Sequence, residues 1–238
     1  WENRIVGEYL EGLVAEDAQA DAIPGQAESW TISDDKLTYE FKIRKTNFSD
    51  GTPVTAEDVI YSLNTMKASP VVNNSSAYNA VTAIEKVDDQ TVKVTLSQPS
   101  QNFWRGMGSV AGLIQPEHAA GTIATNPIGT GPYVLKSYTT NSTFEFEANP
   151  NYWGTKPAIT AATVRIVTDG TAGLNALEAG EVDAVPVITI DLWEQLTKRE
   201  LDKKFTLVTY PQIGEPTYAV FNQKLDPELR QALAATLD

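Results

Sequence analysis

His118 is the only histidine in the chain, and no cysteine accompanies it. That inventory excludes a multi-histidine or thiolate zinc centre within one chain, iron–sulfur ligation and a cysteine nucleophile. His118 follows Pro116-Glu117 and reads as a surface group at a helix start. Ser109 stands among glycines, but a nucleophile elbow needs glycine two residues to either side. Those positions hold Met107 and Ala111. Gly129-Thr130-Gly131 matches half of a dinucleotide fingerprint, yet the third glycine position holds Val134. No Gly-Lys-Ser/Thr phosphate loop is present. Asp50, Glu57 and Asp58 are close enough in sequence to suggest paired carboxylates for acid–base work. Asp50-Gly51 is a tight turn, however, and Thr55 suits the N-cap of a following helix. Glu57 and Asp58 then sit at its positive end, so capping accounts for all three. The chemistry left to this chain is binding, with no enzyme activity and no cofactor expected.

Charge narrows the partners. The 238 residues carry 18 Lys plus Arg against 31 Asp plus Glu, a net charge of −13. No basic cluster offsets it, so nucleic acid and anionic membrane surfaces are not expected partners. No apolar run approaches the ~20 residues of a membrane-spanning helix. The 42% hydrophobic and 21% charged composition is that of a soluble globular protein.

The elements that would position a binding surface follow from periodicity. Ile5, Val6, Tyr9, Leu10 and Leu13 have helical spacing and predict a helix over 5–14, weakened by Gly12. From Ala22 the pattern turns to β, and Leu37, Tyr39, Phe41 and Ile43 alternate with polar residues. Asp34-Asp35 reads as the turn before that strand. Thr55 opens a helix striped by Val59, Leu63 and Met66. Ser69 to Ser76 is expected to be an exposed loop. Val92, Val94 and Leu96 mark another strand after the turn Asp88-Asp89-Gln90. Phe103 to Gly112 carries Gly106, Gly108 and Gly112 and reads as an irregular loop. Its aromatics, Phe103 and Trp104, would anchor it while Ser109 to Ala111 present backbone.

Further on, Val164 and Ile166 mark a strand, and a helix from Thr171 is closed by Gly180. A second helix, 190–201, has Leu192, Trp193 and Leu196 as its apolar face. The turn cluster 210–216 precedes a strand from Tyr218 to Phe221. Asp226-Pro227 starts a last helix, 226–238.

One stretch organises these elements: Asn126-Pro127-Ile128-Gly129-Thr130-Gly131-Pro132-Tyr133-Val134-Leu135. Its prolines fix φ and its glycines can reach positive φ. Gly131, held between fixed neighbours, is expected in a backbone region closed to other residues. A second turn, Asn149-Pro150-Asn151-Tyr152-Trp153-Gly154, follows a β pattern. A third punctuated stretch is Phe48-Ser49-Asp50-Gly51-Thr52-Pro53-Val54-Thr55-Ala56-Glu57-Asp58-Val59.

Together with Pro24 to Trp30, Leu37 to Arg44, Gly180-Glu181-Val182-Asp183, Phe221-Asn222 and Leu229 to Leu233, these stretches resemble the extracellular solute-binding proteins of peptide and nickel ABC importers. The order and spacing match that family from about Arg4 onward. The resemblance implies an α/β fold: a periplasmic-binding-protein-like (type II) lobe with a mixed sheet and a strand-rich outer subdomain, the second lobe being absent. Residues 24–126 would form the outer subdomain, and 1–23 with 127–238 most of an incomplete inner lobe.

The resemblance also implies a function. The protein would capture peptides or similar small solutes outside the cytoplasmic membrane, in the periplasm or at its outer face. It would deliver them to ABC transporter permease subunits. Relatives are often lipoproteins, so membrane attachment is expected only through a lipid anchor not in this sequence. Asn73, Asn74, Ser109, Val110, Ala111, Ile213, Gly214 and Tyr218 match segments that line the ligand cleft. Nickel chelates and oligosaccharides are alternative solutes, and a stand-alone interaction module is the alternative role for the same fold.

Overall fold

The alternation of Tyr39, Phe41 and Ile43 with exposed Glu40 and Lys42 fixes one face of a sheet to a core, and the rest is built on that face. The structure is a computed structural model that describes residues 9–17, 21–71, 75–122, 125–185 and 189–208. Strands β1 (Val14–Glu16) and β2 (Ala22–Pro24) pair antiparallel. Strands β3 (Ala27–Ile32), β4 (Thr38–Ile43), β5 (Val81–Asp88) and β6 (Thr91–Leu96) form a four-stranded sheet in the order β3-β4-β6-β5. Its register places Phe41 opposite Val92 and Tyr39 opposite Val94, so large apolar residues meet across neighbouring strands on the covered face.

Helix α1 (Ala56–Lys67) begins at a capping box. Thr55 accepts from the Asp58 amide while the Asp58 carboxylate accepts from the Thr55 amide. This reciprocal arrangement satisfies donors that helix geometry leaves unpaired. Val59 and Leu63 are fully buried, and Met66 packs at the edge of the same cluster.

Residues 103–112 are more regular than the glycine content suggests. Gln101–Met107 is a helix, α2, capped by Ser100, and Val110–Gly112 is a turn of 3-10 helix. The reason is packing: Phe103 and Met107, one turn apart, are both fully buried. Gly106 sits where a Cβ would lie 2.7 Å from that of Ala77, so α2 packs directly on the short 3-10 turn Ser76–Tyr78. Phe103 stacks edge-on against Tyr39 at 5.1 Å, and Trp104 lies 5.5 Å from Trp30.

The helix expected over 5–14 is also corrected where it is described. Gly12 bridges Leu113 and the chain enters β1 at Val14. Leu13 donates to the Gly112 carbonyl, and the Gly12 and Leu13 carbonyls accept from Gln26 and Ala27. Extended backbone with partners on both sides overrides the helical spacing here; residues 1–8 lie outside the described residues.

Strands β7 (Tyr133–Thr139), β8 (Thr143–Ala148) and β9 (Ala161–Arg165) form an antiparallel three-stranded sheet. Every ladder among the described residues is antiparallel, so the parallel component expected of the inner sheet is not among them. Helix α3 (Gly170–Ala179) starts at an Asp169 cap and ends on Gly180 at φ 74°, as the sequence indicated. Helix α4 (Ile190–Lys198) packs Leu192 and Leu196 on Leu174 and Leu201. Trp193 is not on that face; it is 46% exposed, because the contact with α3 uses the four-residue spacing of the leucines. The expected strand 218–221 and helix 226–238 lie outside the described residues.

Candidate functional site

Of the expected cleft residues, Ser109, Val110 and Ala111 are described; Asn73, Asn74, Ile213, Gly214 and Tyr218 lie outside the described residues. Ser109 is exposed, Val110 half-buried and Ala111 buried. Ser109 caps the 3-10 turn: its hydroxyl donates to the Gly106 carbonyl at 3.0 Å and accepts from the Ala111 amide at 3.4 Å. The Tyr78 hydroxyl donates to the Ala111 carbonyl, and burial pushes the Tyr78 phenol pKa up, which keeps it protonated as a donor. Ala111 therefore spends both backbone groups inside the protein. What this turn can offer a ligand is the Ser109 hydroxyl and the Val110 side chain, on a support fixed by Tyr78. Tyr78 also ties the chain just after Asn74 to the 109–111 turn, a connection that nothing in the sequence pattern indicated.

The organising stretch 126–135 is held from several sides. Gly131 donates to the Tyr9 carbonyl at 3.1 Å, and Ser49 donates to the Gly129 carbonyl at 2.8 Å. The Asn149 side chain donates to the Gly131 carbonyl at 2.8 Å. Gly131 does not have the positive φ expected of it; among the described glycines that conformation belongs to Gly51, Gly121 and Gly180. The position that requires glycine is Gly129, where a Cβ would lie 1.9 Å from the Tyr9 carbonyl oxygen. Close backbone approach, rather than handedness, is the constraint.

A polar cluster missed by sequence reasoning sits beside this stretch. Glu11 accepts from Gln26 Nε2 at 2.6 Å and from the Trp153 indole at 2.7 Å, both on Oε2. The same Gln26 amide donates to Thr130 Oγ1 at 2.8 Å. Gln26 and Thr130 are fully buried. Burial raises the Glu11 pKa above its ordinary value, and the bonds from Trp153, Thr130, Gln26 and Tyr152 offset only part of that rise. Glu11 thus joins four segments far apart in sequence, a structural role with no sign of catalytic geometry. The signal available was Glu11 itself, a carboxylate in the apolar run 9–14.

His118 pairs with Asp50 at 2.8 Å and lies apart from Ser109 in bonding, so no nucleophile–base pair forms from them. Among the described residues no group of three or more His, Cys, Asp or Glu could hold a metal ion. No helix among them is long and apolar enough to cross a membrane.

The described residues thus build a four-stranded antiparallel sheet, a three-stranded antiparallel sheet beside a glycine-proline hub, and a 3-10 turn at Val110–Gly112 capped by Ser109. The profile described as bacterial extracellular solute-binding proteins, family 5 Middle, matches residues 21–238, and the chain belongs to that family. It is 30% identical to the dipeptide-binding protein of Escherichia coli over 244 residues, which cover 90% of this chain and 45% of that protein. Among solved structures it is similar to Haemophilus influenzae OppA in complex with RPPGFSPFR, with TM-score 0.74 and 27% identity over 84% of this chain and 44% of that one. It is also similar to NikZ from Campylobacter jejuni in complex with Ni(L-His), with TM-score 0.74 and 26% identity over 82% of this chain and 41% of that one. The chain spans under half the length of the curated relatives it matches. The α/β class and the partial-lobe architecture of type II periplasmic binding proteins are thereby established. Other relatives are described as heme-binding protein A of Haemophilus influenzae and a putative ABC transporter peptide-binding protein of Brucella ovis.

Proposed function

We propose that this chain forms one wall of the solute receptor of an ABC importer, working outside the cytoplasmic membrane and handing its solute to permease subunits. The family match over residues 21–238 is the observation that carries this reading. Peptide is the favoured solute, since relatives include a dipeptide-binding protein and a peptide-bound structure; a nickel chelate is the second choice, from the Ni(L-His) complex. Membrane attachment would be through a lipid anchor.

In this reading the cleft face comprises Ser109, Val110 and Ala111 with Asn73, Asn74, Ile213, Gly214 and Tyr218. The outer subdomain is 24–126, and 1–23 with 127–238 belong to the inner lobe. That division is supported by the closure of each larger sheet within its own part of the chain. Solute binding to such a receptor shifts a hinge equilibrium, because the closed form contacts ligand from both sides and the open form from one. A rigid wall serves this, since ordering it on binding would subtract from affinity.

The test is Val110→Arg in a protein carrying both lobes, titrated calorimetrically with a peptide library. Loss of at least about tenfold in affinity, roughly 1.4 kcal/mol, with an unchanged melting temperature is expected. Unchanged affinity would remove this turn from the cleft.

A further inference from the structure

A cavity of about 490 Å³ opens on the molecule, and Ser109, Val110 and Ala111 are not among the described residues that line it. Its size falls in the range of small-molecule sites, roughly 300–1,000 Å³. It is lined by Lys42, Arg44 and Lys45 at the end of β4, by Gln90 and Thr91 at the start of β6, and by Trp153 from the turn after β8. Ile43, 1% exposed, forms part of its apolar base. Strands of the four-stranded sheet and the turn behind the three-stranded sheet therefore meet here, the kind of junction where ligand sites concentrate.

The charges in the cavity are not equivalent. Glu28 and Lys42 pair with each other at 3.3 Å. The Asp88 carboxylate accepts from the Gln90 amide at 2.8 Å and from the Thr91 hydroxyl at 3.1 Å. Lys42 thus offsets Glu28, while Asp88 stays an anion in the wall, its pKa held down by the bonds from Gln90 and Thr91. Arg44 donates Nε–H to the Gly25 carbonyl at 3.3 Å and lays its guanidinium 3.8 Å above the Trp153 ring. Neither Arg44 nor Lys45 has an ion-pair partner among the described residues. In a chain of net charge −13, a lining that sets the three cations Lys42, Arg44 and Lys45 against the two carboxylates Glu28 and Asp88 is an exception to the general field.

We propose that this cavity is a second small-molecule site, taking a multiply charged oxyanion between the Arg44 guanidinium and the Lys45 ammonium. Stacking on Trp153 and the Nε bond to Gly25 leave the Nη donors without a protein acceptor among the described residues, and such a planar fork suits two oxygens at once. Lys45 supplies a mobile point charge for the remaining oxygens. Because Trp153 comes from beyond residue 127 and the cations from before it, an anion here would strengthen the contact between the two sheets. Inorganic phosphate and a tricarboxylate such as citrate share this chemistry.

The two are distinguished by titrating the full chain with each, separately, at constant ionic strength in sodium chloride, following the Trp153 indole N–H and Arg44 Nε–H resonances. Saturable shifts of both signals are expected with at least one anion, the tighter of the two identifying phosphate or carboxylate as the preferred group. Lys45→Glu is expected to weaken that response at least tenfold. Lys136→Glu, which alters an exposed cation paired with Glu147, is expected to leave it unchanged. Lys45 is exposed, so its variant retains the fold. Shifts that do not saturate, or that persist equally in Lys45→Glu, would overturn the proposal.

Discussion

The indole Nε1–H of Trp153 donates to the carboxylate of Glu11 over 2.7 Å, across 142 positions of sequence. This bond closes a loop that contains every strand of the four-stranded sheet and the organising turn. Removing the donor with Trp153→Phe takes one bond from a partly buried carboxyl oxygen. A loss of about 1–3 kcal/mol is expected, the range for leaving a buried acceptor without its partner. Urea denaturation measures it, and a change within error would show that solvent replaces the indole.

Glu11 itself makes stability depend on pH. Burial raises its pKa above 4.5 in the folded state, against the bonds that lower it. The folded protein therefore holds this proton more tightly than the unfolded chain. Its contribution to stability is fully present below about 4.5 and is lost as pH rises through the folded value. Glu11→Gln removes that dependence. The stability of the native protein minus that of the variant is expected to grow as pH falls from neutrality toward 4.5. A difference that is flat with pH would contradict the raised pKa.

Asp50 behaves in the opposite sense. Burial opposes its ionisation, but hydrogen bonds from the Thr52 side chain and backbone and from His118 outweigh that and hold its pKa below 3.8. Its contribution is present above the unfolded value and lost as pH falls through the lower folded one. Asp50→Asn is expected to flatten the acid limb of the stability curve. An acid limb unchanged by the substitution would show that the turn, rather than the charge, holds these residues.

The close approach of Gly129 to Tyr9 gives a steric prediction. Gly129→Ala would place a methyl carbon 1.9 Å from the Tyr9 carbonyl oxygen, and backbone must move to admit it. A loss of about 1–3 kcal/mol is expected, as for overpacked sites. A denaturation midpoint and m-value equal to those of the native protein would show that the turn can shift freely.

Local signals were legible where the local rule and the tertiary partner agree. Thr55 is the expected N-cap, to which the structure adds a reciprocal bond from Asp58, Gly180 closes its helix in the left-handed region, and β4 alternates as read. They failed where long-range partners decide. Gly12 and Leu13 have helical neighbours in sequence but are taken into extended pairing by Gly112, Gln26 and Ala27. Gly106 looks like a loop residue until Ala77 is known to lie against it. The glycine-proline hub was recognisable as a hub, but which glycine is indispensable depended on the Tyr9 carbonyl. The expected cleft residues rested on family resemblance, and spacing could not reveal that Tyr78 fixes the turn at Ala111.

Binding by one wall against binding by two is the most direct test of the receptor reading. With a single wall, a ligand stays half solvated and lacks the area and charge partners that closure supplies. Calorimetric titration of one peptide library against residues 1–238 alone and against a protein carrying both lobes separates the cases. Binding no tighter than about millimolar is expected for residues 1–238, with at least about 100-fold tighter binding when both lobes are present. Micromolar binding by residues 1–238 alone would contradict the account and place the whole recognition site within them.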